Sequence, residues 1–271
     1  SPPSANRALP LRSYITAIWV LGGMICLYWV FKQKDPRIMA AWCVATLIVM
    51  AFSLIVVISN YDQQSLRVRR KIPANPGQRA LAFLFYNGAA GGITWILLIT
   101  VVTVTATASL MSWMPVWRPG TSGPDMAEFN SMVGATVLYA LAYALTALFI
   151  HRQFLSRRAP KLAGIFCILL PAIWALVPNI VLFFSNRLSF RAMEASQLGN
   201  VFNVFIVKDP GQRFAHLICA TAWVALMVIL NARWFFRQVR EFRPLTKYTA
   251  PEPTPAAIPP VIPTSTGVAG S

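Results

Sequence analysis

Residues 38–59 read IMAAWCVATLIVMAFSLIVVIS, a run without a single Asp, Glu, Lys or Arg. At 1.5 Å of rise per residue, such a run is long enough to cross the hydrocarbon core of a bilayer as a helix. Five more runs, at 13–31, 80–111, 129–151, 162–185 and 214–236, lie on either side of it. All six lack Asp and Glu, and Arg233 is their only arginine. Lipid offers the backbone no hydrogen bonds, so each run must satisfy its own as a helix. The fold class is therefore all-α: a polytopic membrane helix bundle of about six transmembrane helices occupying 13–236. Residues 1–12 form an N-terminal segment before it. Residues 237–249 follow as a basic interfacial segment, and 250–271 as a disordered, Pro-rich tail.

Composition agrees. Hydrophobic residues make up 56% of the 271, and charged residues only 12%, about half what a soluble domain carries. The charge is lopsided, with 24 Lys plus Arg against 8 Asp plus Glu. Nucleic-acid binding would need those cations on one soluble face; here they sit in short clusters between apolar runs. They read as headgroup anchors and topology signals. Sixteen of the 24 fall before the first span, in the second and fourth loops, or at and beyond the end of the sixth span. By the positive-inside rule that side, with both termini, is cytoplasmic.

Several chemistries find no support. Cys26, Cys43, Cys167 and Cys219 each lie inside an apolar run and form no CxxC, so they read as packing residues. His151 and His216 fall at opposite membrane faces and cannot share a metal or haem. No acidic pair occupies a span, which argues against proton pumping and intramembrane proteolysis. GxxxxGK[ST] is absent, so the chain binds no nucleotide through a P-loop. No catalytic residue, cofactor or metal is expected. A lipid-modifying enzyme would have only Glu194, Asn200, Asn203 and Asp209 outside to work with.

Four features stand out, each with a plain reading beside it. Gly88 and Gly92, four apart in YNGAAGG (86–92), make a close-packing face or a hinge. Pro171 and Pro178, with Asn179 after them, favour bends that could serve a gate but are common in any bundle. The loop 60–79, NYDQQSLRVRRKIPANPGQR, is longer than a turn requires. Its cluster at 67–71 is either topology and lipid anchoring or a partner-docking element. The external stretch 186–213 carries Phe190, Met193, Leu198, Phe202 and Phe205 at near-helical spacing, interrupted at Gly199-Asn200. Two short helices dipping into the outer interface are expected there.

The stretch 58–95, ISNYDQQSLRVRRKIPANPGQRALAFLFYNGAAGGITW, resembles bacterial ABC-2-type transporter permeases. The matching pieces are Arg67-Val68-Arg69-Arg70, Ile72-Pro73, Arg79, Ala82-Phe83-Leu84-Phe85 and Gly88-Ala89-Ala90-Gly91-Gly92. The external Gln197-Leu198-Gly199-Asn200-Val201-Phe202-Asn203 is similar to a piece of the same proteins. The resemblance implies six spans, a cytoplasmic coupling segment after the second, and an external re-entrant segment before the sixth. It further implies a bacterial cytoplasmic-membrane location, a separate cytoplasmic ATPase subunit docked on 63–71, and a second permease unit completing the path. On that reading Arg67, Arg69, Arg70 and Lys71 couple to the ATPase, and Asn87, Gly88, Gly91 and Gly92 make helix contacts. Pro171, Pro178 and Asn179 belong to the gate. A non-catalytic scaffold subunit of a larger membrane complex is the alternative that the sequence leaves open.

Overall fold

The computed structural model describes residues 8–35, 37–59, 72–86, 88–113, 126–155, 162–185 and 197–244. They form α1 (Ala8–Gln33), α2 (Arg37–Ile58), α3 (Pro76–Tyr86), α4 (Ala89–Trp113), α5 (Met126–Ile150), α6 (Leu162–Phe184) and α7 (Pro210–Glu241). A π-helical turn, His151–Leu155, continues α5, and a 3₁₀ turn, Asn203–Phe205, precedes α7. Among the described residues, all but α3 of the seven α-helices are long and apolar enough to span a membrane, giving six. The chain is a multi-pass helical membrane protein.

Three boundaries differ from the sequence expectation. The first helix begins at Ala8 instead of 13, with Pro10 in its first turn, where proline's missing N–H costs nothing. Arg12, expected in the segment before the span, is thereby part of it. The run 80–111 is not one helix, because α3 ends at Tyr86 and a new helix starts at Ala89. The last helix extends beyond 236 to Glu241 and reaches about 48 Å, well past the bilayer's apolar thickness.

Two helix starts share one syntax. Asn75-Pro76-Gly77-Gln78-Arg79 opens α3 and Asp209-Pro210-Gly211-Gln212-Arg213 opens α7. In each, the first side chain caps a backbone N–H: Gly77 N donates to Asn75 Oδ1 (3.0 Å) and Gln212 N to Asp209 Oδ2 (2.9 Å). Proline occupies the next position with its φ preset for the helix.

The closest pairings are α5 with α7 and α2 with α4. The core lies between α2 (Cys43, Met50, Leu54), α4 (Ala90, Ile93, Ile96) and α5 (Ala144, Ala147, Leu148). Alanines on α5 bring its neighbours close, which is how helices associate where lipid is as apolar as the side chains. By contrast α1 and α6 turn most of their surface outward, with 6% of their spanning windows buried against 50% for α5. Both ends of the described chain lie at the same end of the bundle. Arg12 of α1 reaches α3 there, and Phe83 of α3 meets Phe235 and Phe242 at the far end of α7 (ring centroids 6.2 and 5.4 Å). Among the described residues, Arg12, Arg152, Arg237, Arg240 and Arg243 lie at this end, the inner end of the bundle.

Candidate functional site

The bundle is interrupted at both ends, and most of the sequence-predicted residues within the described segments lie beside an interruption. Gly88 sits in the break between α3 and α4, with Gly91 and Gly92 in the first turn of α4. Pro171, Pro178 and Asn179 lie on α6, and both prolines fall inside a continuous helix. The two groups are not brought together. Arg67, Arg69, Arg70, Lys71 and Asn87 lie outside the described residues.

At the inner break, the organising side chain is Arg12, a residue that sequence reasoning missed as a site. It is buried, and its guanidinium donates from Nη1 to Leu84 O (2.6 Å) and from Nη2 to Gly88 O (3.0 Å). Leu84 lies in the last turn of α3, whose carbonyls have no helical N–H ahead of them, and a long cation is a good substitute. Gly88 O, at the start of α4, also accepts from Gly92 N (3.1 Å). Trp95 of α4 lies 6.0 Å from the Arg12 Cζ, ring facing the cation. Its indole N–H donates to Thr16 Oγ1 (3.0 Å), while Trp19 donates to Thr103 Oγ1 (2.9 Å), tying α1 to α4 twice more. Gly92 makes the approach sterically feasible. A Cβ there would stand 2.5 Å from Val57 Cγ1 and 2.6 Å from Arg12 Nη2.

At the outer end, residues 197–207 descend into the bundle instead of lying on it. Gly199 packs against Trp174, which is about 15 Å below the outer end of α6 at Phe184. Its carbonyl accepts from the Tyr143 hydroxyl, and its N–H donates to the Tyr139 hydroxyl (3.1 Å). Gly199 has φ +100°, a left-handed conformation that a side chain would strain, and a Cβ would also strike the Trp174 ring at 2.9 Å. Two short helices were expected around it. Among the described residues this segment is turns plus the 3₁₀ turn Asn203–Phe205; 187–196 lies outside them.

Polar side chains hold the segment in place. Asn179 accepts from Gln197 Nε2 (2.5 Å) and donates to Ala175 O (2.8 Å). Gln197 Oε1 accepts from Asn200 (2.6 Å), whose own oxygen accepts from Phe202 N (3.0 Å). The Tyr139 hydroxyl lies 3.0 Å from His216 Nδ1 and the Asn203 amide nitrogen 3.4 Å from Nε2, an arrangement that suits the tautomer with its proton on Nδ1 and Nε2 accepting. Tyr139, Tyr143, Trp174 and Trp223 form an aromatic collar around the network. Unpaired polar atoms at this depth would each cost kilocalories, so the segment and its collar specify one another.

A third buried cluster closes the inner end of α5. Arg152, in the π turn, donates to Asn231 Oδ1 (3.1 Å) and faces the Trp234 ring at 5.1 Å. Asn231 donates in turn to Leu145 O (3.2 Å) and Met227 O (2.8 Å).

The missed residues had signals. Tyr139 and Tyr143 are four apart, hence on one helix face, inside an otherwise apolar run. The segment after 196 offers three amides, Gln197, Asn200 and Asn203, to meet such a face. The chain matches no family model, no curated protein and no solved structure.

Proposed function

We propose that the chain is the membrane-spanning permease unit of an ATP-driven, ABC-type transporter of the bacterial cytoplasmic membrane. Energy comes from a separate ATPase docked on the loop 60–79. The observation that carries this reading is the outer segment 197–207, inserted before the last span and hydrogen-bonded to α5, α6 and α7. An element held by neutral hydrogen bonds can be released and re-formed without moving charge into lipid, which suits a gate. The break between α3 and α4 is separated from the docking loop only by α3 itself. A push on α3 therefore reaches α4 through Arg12 and Gly92 and need not bend a continuous helix. Asn179 takes the gate role through Gln197, and a second such unit completes the path.

The test is purification of the tagged chain in mild detergent, with partners identified by mass spectrometry. A stoichiometric P-loop ATPase is expected, lost when Arg67, Arg69 and Arg70 are replaced together by Glu. Recovery of other membrane subunits with no ATPase would overturn the permease reading in favour of a scaffold subunit.

A further inference from the structure

An apolar cleft of about 440 Å³ lies between α1, α2 and α4, within the size range of ligand sites. Its walls carry Leu11, Ile15 and Trp19 of α1, Val49 and Ser53 of α2, and Trp95 of α4. The tryptophan N–H groups of Trp19 and Trp95 are turned to threonines, so these rings offer the cleft no unmet polar atom.

The two ends of the cleft differ in chemistry. Arg12 forms part of its wall at the inner end and brings a positive charge there. Trp42 closes the other end. Its ring packs so tightly on Gly22 that a Cβ there would lie 2.3 Å from it. From Arg12 to Gly22, α1 rises about 15 Å, half of the ~30 Å hydrocarbon thickness. The cleft is thus about one leaflet deep, and with the 26-residue α1 centred on the bilayer its cation would lie at the inner edge of the hydrocarbon and its ceiling near the midplane. By the positive-inside rule the inner leaflet is the cytoplasmic one, where anionic lipids supply the complementary charge.

We infer that this cleft holds one acyl chain of an anionic phospholipid from the inner leaflet, its phosphate drawn to Arg12, as a resident lipid of the protein. The inference rests on the membrane topology and does not depend on the permease reading. A lipid here would fill the space between α1 and α2 and bring its phosphate toward the positive potential of the buried guanidinium.

The test uses the full chain reconstituted in bilayers of equal phosphatidylcholine and phosphatidylglycerol, then stripped with detergent and examined by native mass spectrometry. About one retained lipid per chain is expected, enriched severalfold in phosphatidylglycerol. Ala45→Phe, which fills the cleft and leaves Arg12 in place, should abolish retention while the helical circular dichroism is unchanged. Arg12→Gln should remove the preference for the anionic lipid. If that variant fails to fold, Ala45→Phe decides alone. A wild-type chain that retains no lipid would leave the cleft to residues 1–7 or to a second copy, and would overturn the proposal. Retention that survives Ala45→Phe, or that favours neither headgroup, would overturn it equally.

Discussion

The inner break and the outer insert meet the same difficulty in opposite ways. Each exposes backbone groups that no regular helix satisfies, in or near a medium that offers no water. The inner break is secured largely by one side chain, Arg12, whose guanidinium reaches two carbonyls at once. The outer insert is held by many neutral groups, with Tyr139, Tyr143, Asn179 and His216 each contributing a bond or two. A charge-assisted clasp concentrates stability in a single residue, whereas a network distributes it. The inner end should therefore fail at one substitution, and the outer end should yield in steps.

The largest effect is expected at the clasp. Arg12→Met removes the donor to Leu84 and Gly88 and should lower unfolding stability by about 3 kcal/mol, the scale of losing charge-assisted bonds to buried carbonyls. Thermal unfolding in detergent, followed by tryptophan fluorescence, measures it. Arg12→Lys should recover only part of the loss, because a point-charge ammonium cannot reproduce the planar fork. Full recovery by lysine would mean that charge, not the paired geometry, secures the break.

Gly92→Ala tests the same region from the opposite helix. The added methyl would meet Val57 and Arg12 closer than any real contact, and overpacking of this kind costs about 1–3 kcal/mol. Val57→Ala makes room on one side and should return part of that loss in the double variant. Absence of any rescue would place the strain at Arg12 alone.

How much of this contrast the sequence discloses depends on which physical signal carries it. The spans are legible because an uncharged run of twenty residues has one stable state in lipid, and 38–59 shows it most clearly. The break between Tyr86 and Ala89 is half legible. YNGAAGG marks close packing or a hinge, but nothing local says that the helix stops, since the stop relies on a guanidinium more than seventy residues away in sequence. Arg12 was hidden for a related reason. An arginine at the edge of an apolar run reads as the end of the span, and only the packing of α1 on α3 draws it inside. For the outer insert the sequence provides the interruption at Gly199 and the amides around it. Their partners Tyr139 and Tyr143 lie in a different span, and no pattern along the chain pairs the two.

A more moderate effect is expected within the outer network. Tyr139→Phe deletes the hydroxyl that serves both Gly199 N and His216 Nδ1 and should cost about 1–2 kcal/mol. His216→Ala removes one partner of the same hydroxyl, so a double-mutant cycle between the two should show coupling above about 0.5 kcal/mol. Combined with Gly92→Ala at the other end, Tyr139→Phe should be additive. Strong coupling between the two ends would contradict the picture of independent interruptions and would mean that the bundle transmits one to the other.

The smallest effect marks the scale against which the others are judged. Asp35, in the outer turn between α1 and α2, accepts from Arg37 through both carboxylate oxygens (2.7–3.0 Å). Hydrogen bonding to that guanidinium holds its carboxyl below the usual carboxylate range. A depressed carboxylate contributes stability that is present above its unfolded-state value and is lost as pH falls through the folded one. The pair is exposed to solvent, where ion pairs are screened and their side-chain ordering offsets most of the attraction. Asp35→Asn should therefore leave the unfolding midpoint within experimental scatter at neutral pH, and acidification should separate wild type from variant by no more. A clear loss at neutral pH would show that this turn is buried in an assembly, because only removal from water would give so short a pair a measurable share of stability.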